Sequence, residues 1–172
     1  MKVVKQLFVV GFIFLSIIAY SQNNDYKVRK CYGYQRDSCK NSENMYYKVH
    51  DASRSALFLK GQKSTTIITI YNGRDYRISL CWDHVLGNQI LFKILDNATQ
   101  NVLYDNANDG FSSDFEFTVA QTSEVAIEVT IPGSSDLAKA SSQNELIFVE
   151  KDKEMGCVGV LIEHMITPTK GF

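Results

Sequence analysis

From Ser55 onward apolar and polar side chains alternate, and turn-forming Gly, Asn, Asp and Pro break the alternation at short intervals. The most informative stretch runs from Thr65 to Asp83. Tyr76, Ile78, Leu80 and Trp82 alternate with Arg77, Ser79, Cys81 and Asp83, the period of a strand with one face in a core. Ile68 and Ile70 form the matching apolar set before Asn72-Gly73. A two-residue loop there opposes Ile70 to Asp75 and Ile68 to Arg77. That register mixes core with solvent, and a slip of one residue turns every side chain over. A three-residue bulged loop with positive φ near Gly73 pairs Ile70 with Tyr76 and Ile68 with Ile78, and is the expected register. The alternative puts the two strands in different sheets.

Further short strands follow the same rule. Ala56 to Leu59 stops at Lys60-Gly61, and Gln89 to Leu95 carries Ile90, Phe92 and Ile94 on one side. Asn101 to Tyr104 is short, and Phe115, Phe117 and Val119 alternate with Glu116 and Thr118. Val125, Ile127, Val129 and Ile131 alternate with Ala126, Glu128 and Thr130 up to Pro132. A Ser- and Ala-rich loop (133–144) leads to an edge strand at Leu146 to Val149, and Val158, Val160 and Ile162 form the last core set. Many short strands without a sustained helical period predict an all-β fold, a single antiparallel sandwich over 55–172.

The start of the chain follows a different pattern. Lys2 and Lys5 precede the apolar run Leu7 to Ala19, and Ala19-Tyr20-Ser21 is a small-x-small cleavage site, so 1–21 read as a signal peptide. The run falls short of the roughly 20 residues of a membrane span, with an uncleaved signal anchor as the alternative. No second apolar run reaches spanning length, so no stable span is expected after cleavage. Cleavage lowers the basic count from 18 to 16 against 19 acidic side chains, moving the formal charge from −1 to −3. With neither sign dominant and no basic stripe, nucleic acid is a poor candidate partner, and none is expected. Residues 22–54 hold Tyr26, Tyr32, Tyr34, Tyr46 and Tyr47 among polar residues and follow neither period. They read as an irregular arm with room for a short helix. Tyr32, Tyr34, Tyr46 and Tyr47 are candidate ligand contacts, with simple cover for the core edge as the alternative.

Cys31, Cys39, Cys81 and Cys157 all lie in the exported part, where an even count implies disulfides with three connectivities. Cys31 with Cys39, and Cys81 with Cys157, is the expected pairing: the first two are close in sequence, and the others fall on outer strand faces. Their spacing fits no zinc pattern. A calcium loop is the best metal candidate. Asp105, Asp109, Gly110 and Glu116 occupy positions 1, 5, 6 and 12 of the helix–loop–helix type, but position 3 is Ala107 and the flanks read as strands. An irregular site from Asp96, Asp105, Asn106, Asn108 and Asp109 is the form calcium would take, against solvated turns as the alternative. His50, His84 and His164 are scattered, and no hydrolase, phosphate-loop or dinucleotide motif is present.

The order DYRISL, ILFKILDN, NVLYDN, FEFTV, EVAIEV and a closing Gly-x-x-Gly-Val-Leu-Ile resembles the jelly-roll sandwich of bacterial pre-peptidase C-terminal domains, over Ser55 to Met165. SRSALFLKGQ, DYRISLC and GCVGVLIEHM resemble a group of small exported bacterial β-sandwich proteins of unknown function. The first resemblance implies a jelly-roll-like accessory module. The sequence therefore reads as a non-catalytic exported sandwich, periplasmic or extracellular, that binds a protein or polysaccharide of the cell envelope. Contacts are expected on the tyrosine arm and on loops 84–88, 105–113 and 133–144. A calcium-stabilised accessory domain is the second reading, and a small secreted hydrolase built on His84 or His164 the third.

Overall fold

The computed structural model describes residues 30–133 and 155–168. The expected signal peptide at 1–21, the strand expected at 146–149 and nearly all of loop 133–144 lie outside the described residues. Among the described residues nine strands form two antiparallel sheets. The first contains β1 (Lys48–Val49), β2 (Arg54–Leu59), β4 (Arg74–Trp82), β7 (Asp114–Thr118) and β9 (Met155–Ile166). The second has the order β3 (Lys63–Ile70), β8 (Ser123–Thr130), β5 (Leu91–Asp96), β6 (Val102–Asp105). β9 is the axis of the first sheet. One edge pairs with β2 and then β1, and the other runs along β4 from Trp82↔Val158 to Arg74↔Ile166.

The expected hairpin does not form. β3 and β4 belong to different sheets, and β3 pairs along its whole length with β8, Ile68 opposite Val125 and Ile70 opposite Ser123. Gly73, at φ +73°, turns the chain from one sheet to the other. Periodicity is satisfied either way, because Ile68, Ile70, Tyr76 and Ile78 all enter one core. They meet across the sandwich and not side by side.

That core holds the predicted set. Phe92, Ile94, Val125, Ile127, Val129, Ile131, Val158 and Ile162 are buried, and Phe115, Phe117 and Trp82 pack against them half-buried. Along one side a row of rings bridges the sheets. Tyr104 of β6 stacks on Phe115 of β7 at 3.9 Å, and Phe117 continues the row to Tyr76 at 5.9 Å.

The outer face of the first sheet departs from the alternation. Arg77, Ser79, Leu161 and Glu163 sit at solvent parity yet are buried. The N-terminal arm, with α1 (Tyr34–Ser38), lies over them, so β4 and β9 bury both faces. Gly159 permits the approach: a Cβ there would lie 2.7 Å from Gln35 Cα. Two disulfides fix the arm, Cys31–Cys157 and Cys39–Cys81, with Cα separations of 5.2 and 4.9 Å. The expected Cys31–Cys39 and Cys81–Cys157 pairing is corrected. Cys81 stands opposite Gly159, so Cys157 is its diagonal neighbour. Diagonal positions lie roughly 7–8 Å apart, beyond the Cα span a disulfide tolerates. Each sheet cysteine bonds instead to the arm cysteine above it.

An ion cluster completes the seam. Buried Arg77 donates to the Lys40 carbonyl at 2.7 Å and to Glu163 Oε2 at 2.9 Å, with Asp114 and Glu116 at 3.4 and 3.3 Å. Glu163 also accepts from the Ser42 backbone N–H at 3.0 Å. Removing Arg77 or Glu163 strands the other as a buried charge, at a cost of about 3–5 kcal/mol.

Two outcomes are expected. Peptide mapping without reduction finds 31–157 and 39–81 linkages. In chemical denaturation Ile127→Ala costs about 2–5 kcal/mol, whereas Glu128→Ala, which breaks a surface pair with Lys63, costs under about 1.

Candidate functional site

Core parity continues on β4 and β9 past the point where the core ends. His164 and Ile166 follow Val158, Val160 and Ile162 on β9, and Arg74 precedes Tyr76 and Ile78 on β4. The ladder sets Lys48, His164 and Tyr76 in one row and Arg74 with Ile166 in the next. These side chains bound a groove of about 700 Å³ at the end of the sandwich, lined among the described residues by Tyr46, Lys48, Arg74, His164, Met165, Ile166 and Pro168. Its size and apolar walls are those of a ligand site.

Hydrogen bonds hold the walls. Thr167 Oγ1 donates to Asp75 Oδ1 at 2.8 Å and Thr167 N–H donates to the Gly73 carbonyl, pinning the end of β9 to the start of β4. Ser53 Oγ donates to the Ile162 carbonyl and accepts from the Ile162 N–H, which fixes the turn carrying His50. The Asn44 side chain accepts from the Tyr46 N–H at 3.0 Å, seating Tyr46 at the rim.

The groove is electropositive. Arg74 is half-buried with its guanidinium 5.3 Å from the centre of the Tyr71 ring, and neither it nor Lys48 makes an ion pair among the described residues. His164 lies 5.4 Å from His50 and 5.8 Å from Tyr76, ring centre to ring centre. His50 Nδ1 accepts from the Ala52 N–H at 3.1 Å, so the neutral ring carries its proton on Nε2. His164 Nδ1 is buried without a partner among the described residues, so a ligand would meet the ring at Nε2. Burial, then Arg74, His50 and Lys48, hold the His164 pKa below its ordinary 6.5, with Asp51 opposing.

The tyrosine candidates separate. Tyr46 is 72 % exposed on the groove, and Tyr32 is 87 % exposed elsewhere on the arm. Tyr34 is a brace: its hydroxyl donates to Asp83 Oδ1 at 3.2 Å, while Asp83 Oδ2 accepts from the Cys157 N–H. Burial and then Asp83 raise its pKa. Tyr47 faces a separate hollow with Asp75 and Glu116, where burial and these carboxylates raise its pKa.

The calcium candidates are engaged with neighbours. Asp96 accepts from the Ala98 and Thr99 N–H groups in an Asx turn. Asp105 pairs with Lys93 at 2.8 Å and accepts from the Ala107 N–H. Asp109 accepts from the Tyr104 hydroxyl, and Asn108 is exposed. Asn106 is buried, and its amide accepts from Phe92 N–H and donates to the Ile90 and Ser112 carbonyls, stapling the 105–113 loop to β5. Among the described residues no three His, Cys, Asp or Glu side chains gather as metal ligands.

His84 is exposed, whereas His50 and His164 converge. A hydrolytic site needs a nucleophile or acid beside the base. The groove side chains around His164 among the described residues are cations, rings and apolar groups, and the carboxylate that acts on it, Asp51, has the smallest effect of the charges on the ring. Sequence reading missed Lys48, Arg74, His164 and Ile166 as a group. The available signal was a cation or imidazole at core parity just beyond each core run.

No family model and no curated protein matches the chain. Among solved structures it is similar to the crystal structure of Aeromonas hydrophila PliG, a periplasmic lysozyme inhibitor of g-type lysozyme. The likeness has 9 % identity and a TM-score of 0.45, and covers 73 % of this chain and 92 % of that one.

The electrostatics predict that His164 titrates below 6.5 by nuclear magnetic resonance, and that Arg74→Gln moves it upward. A depressed folded pKa favours the neutral ring, so its contribution is full above the unfolded value and is lost as pH falls through the folded one. Arg74→Gln narrows that window.

Proposed function

We propose that this chain is a non-catalytic exported β-sandwich that binds a protein or glycan of the cell envelope, periplasmic or extracellular, through the groove at the end of its first sheet. The observation that carries this reading is the groove itself. It combines aromatic and aliphatic walls with two cations that have no counter-ion among the described residues. Burying apolar surface yields about 25 cal/mol per Å², and Ile166, 82 % exposed, offers such surface to a partner. The scaffold suits recognition. Two disulfides and the Arg77 cluster hold the arm rigid, so binding costs little ordering of the chain. A protein is the favoured partner, since Tyr46, Met165, Ile166 and Pro168 match side chains better than sugar hydroxyls.

The test is affinity capture of envelope proteins with the oxidised chain and with Ile166→Asp, read by mass spectrometry. One protein enriched by the native chain and lost with Ile166→Asp is the expected result. A partner retained equally by both contradicts use of the groove, and release by envelope polysaccharide alone assigns the site to glycan.

A further inference from the structure

The chemistry of the groove narrows its ligand, an inference that rests on the binding role proposed above. Three polar groups converge there: the Arg74 guanidinium, the Lys48 ammonium and the His164 imidazole. Two are cations and the third becomes one on protonation. Asp51 is the one carboxylate among the described residues whose field reaches His164 noticeably, and its effect is the smallest of those acting on the ring. Asp75, next to Arg74 in sequence, is occupied by Thr167. Arg74, half-buried and resting on Tyr71, has no carboxylate partner among the described residues. A cation so placed is completed by an anion, and charge-assisted bonds to guanidinium are among the stronger polar contacts.

We infer that the groove takes a protein segment presenting a carboxylate side chain beside an apolar one, the carboxylate meeting Arg74 and Lys48 and the apolar group packing on Tyr46 and Ile166. A compact inorganic anion would occupy little of a cavity of about 700 Å³ and leave those apolar walls uncovered. An acidic peptide segment uses both features.

Arg74, His50 and Lys48 disfavour the imidazolium form of His164, and burial disfavours it further. A bound carboxylate cancels much of that positive field and accepts from protonated Nε2. Binding therefore takes up a proton at His164, and affinity rises as pH falls through the histidine range.

The test titrates the oxidised protein with an acetylated, amidated peptide holding a central glutamate between phenylalanines. Its glutamine twin and inorganic phosphate are the comparison probes, and amide and imidazole resonances are followed. The glutamate peptide is expected to bind about tenfold more tightly than its twin, with shifts centred on His164 and Ile166 and tighter binding at about pH 5.5 than at about 7.5. Arg74→Gln abolishes the preference, and His164→Gln abolishes the pH dependence while keeping it. Dispersed amide spectra verify that both variants fold. Equal binding of the two peptides, shifts elsewhere, or phosphate binding as tightly as the peptide overturns the carboxylate assignment. Failure of both peptides with a protein that still captures an envelope partner at the groove overturns this inference alone. Failure of both together with loss of capture overturns the binding role as well.

Discussion

The attachment of the arm to the outer face of the first sheet is the constraint on which the rest depends. Cys31–Cys157 and Cys39–Cys81 join it to β9 and β4 across sequence separations of 126 and 42. Cross-links of that span remove much of the freedom of the unfolded chain, typically about 2–4 kcal/mol each. Between them the arm shuts Arg77 and Glu163 away from water, and that burial is tolerable only because the two charges meet and the Lys40 carbonyl and Ser42 N–H complete their bonding. Disulfides and ion cluster thus depend on each other.

The same attachment shapes the groove. From Glu163 the chain of contacts runs to the Ser42 backbone, on to Asn44 through the Ser42 hydroxyl, and then to Tyr46. Two residues further on, Lys48 enters the sheet opposite His164. One wall of the groove is therefore an extension of the arm, and the other is the paired end of β4 and β9. Preorganised walls lower the ordering cost of binding. On the proposed reading, a rigid cavity whose cations lack counter-ions among the described residues serves recognition without need of a moving part.

Much of the architecture was legible in the sequence. The phases of β4, β5, β8 and β9 named the core, because one buried face imposes a period of two. The same rule misread Arg77, which like Glu163 has outward parity but is buried by a segment with no period of its own. The β3–β4 connection was ambiguous for a related reason: alternation reports which way a side chain faces and not which strand lies beside it. The disulfides failed on register, since Cys81 faces Gly159 across the ladder. The groove was hidden because Lys48, Arg74 and His164 lie far apart in sequence and meet only when β9 seats between β1 and β4.

The most direct measurement of the central claim is photocrosslinking in the native envelope, with a photoreactive amino acid at position 166 in the groove or at position 103, an exposed leucine on β6 of the other sheet. The account predicts a discrete protein adduct from position 166 and none from 103. An adduct from 103 with none from 166 would contradict it and move recognition to the second sheet.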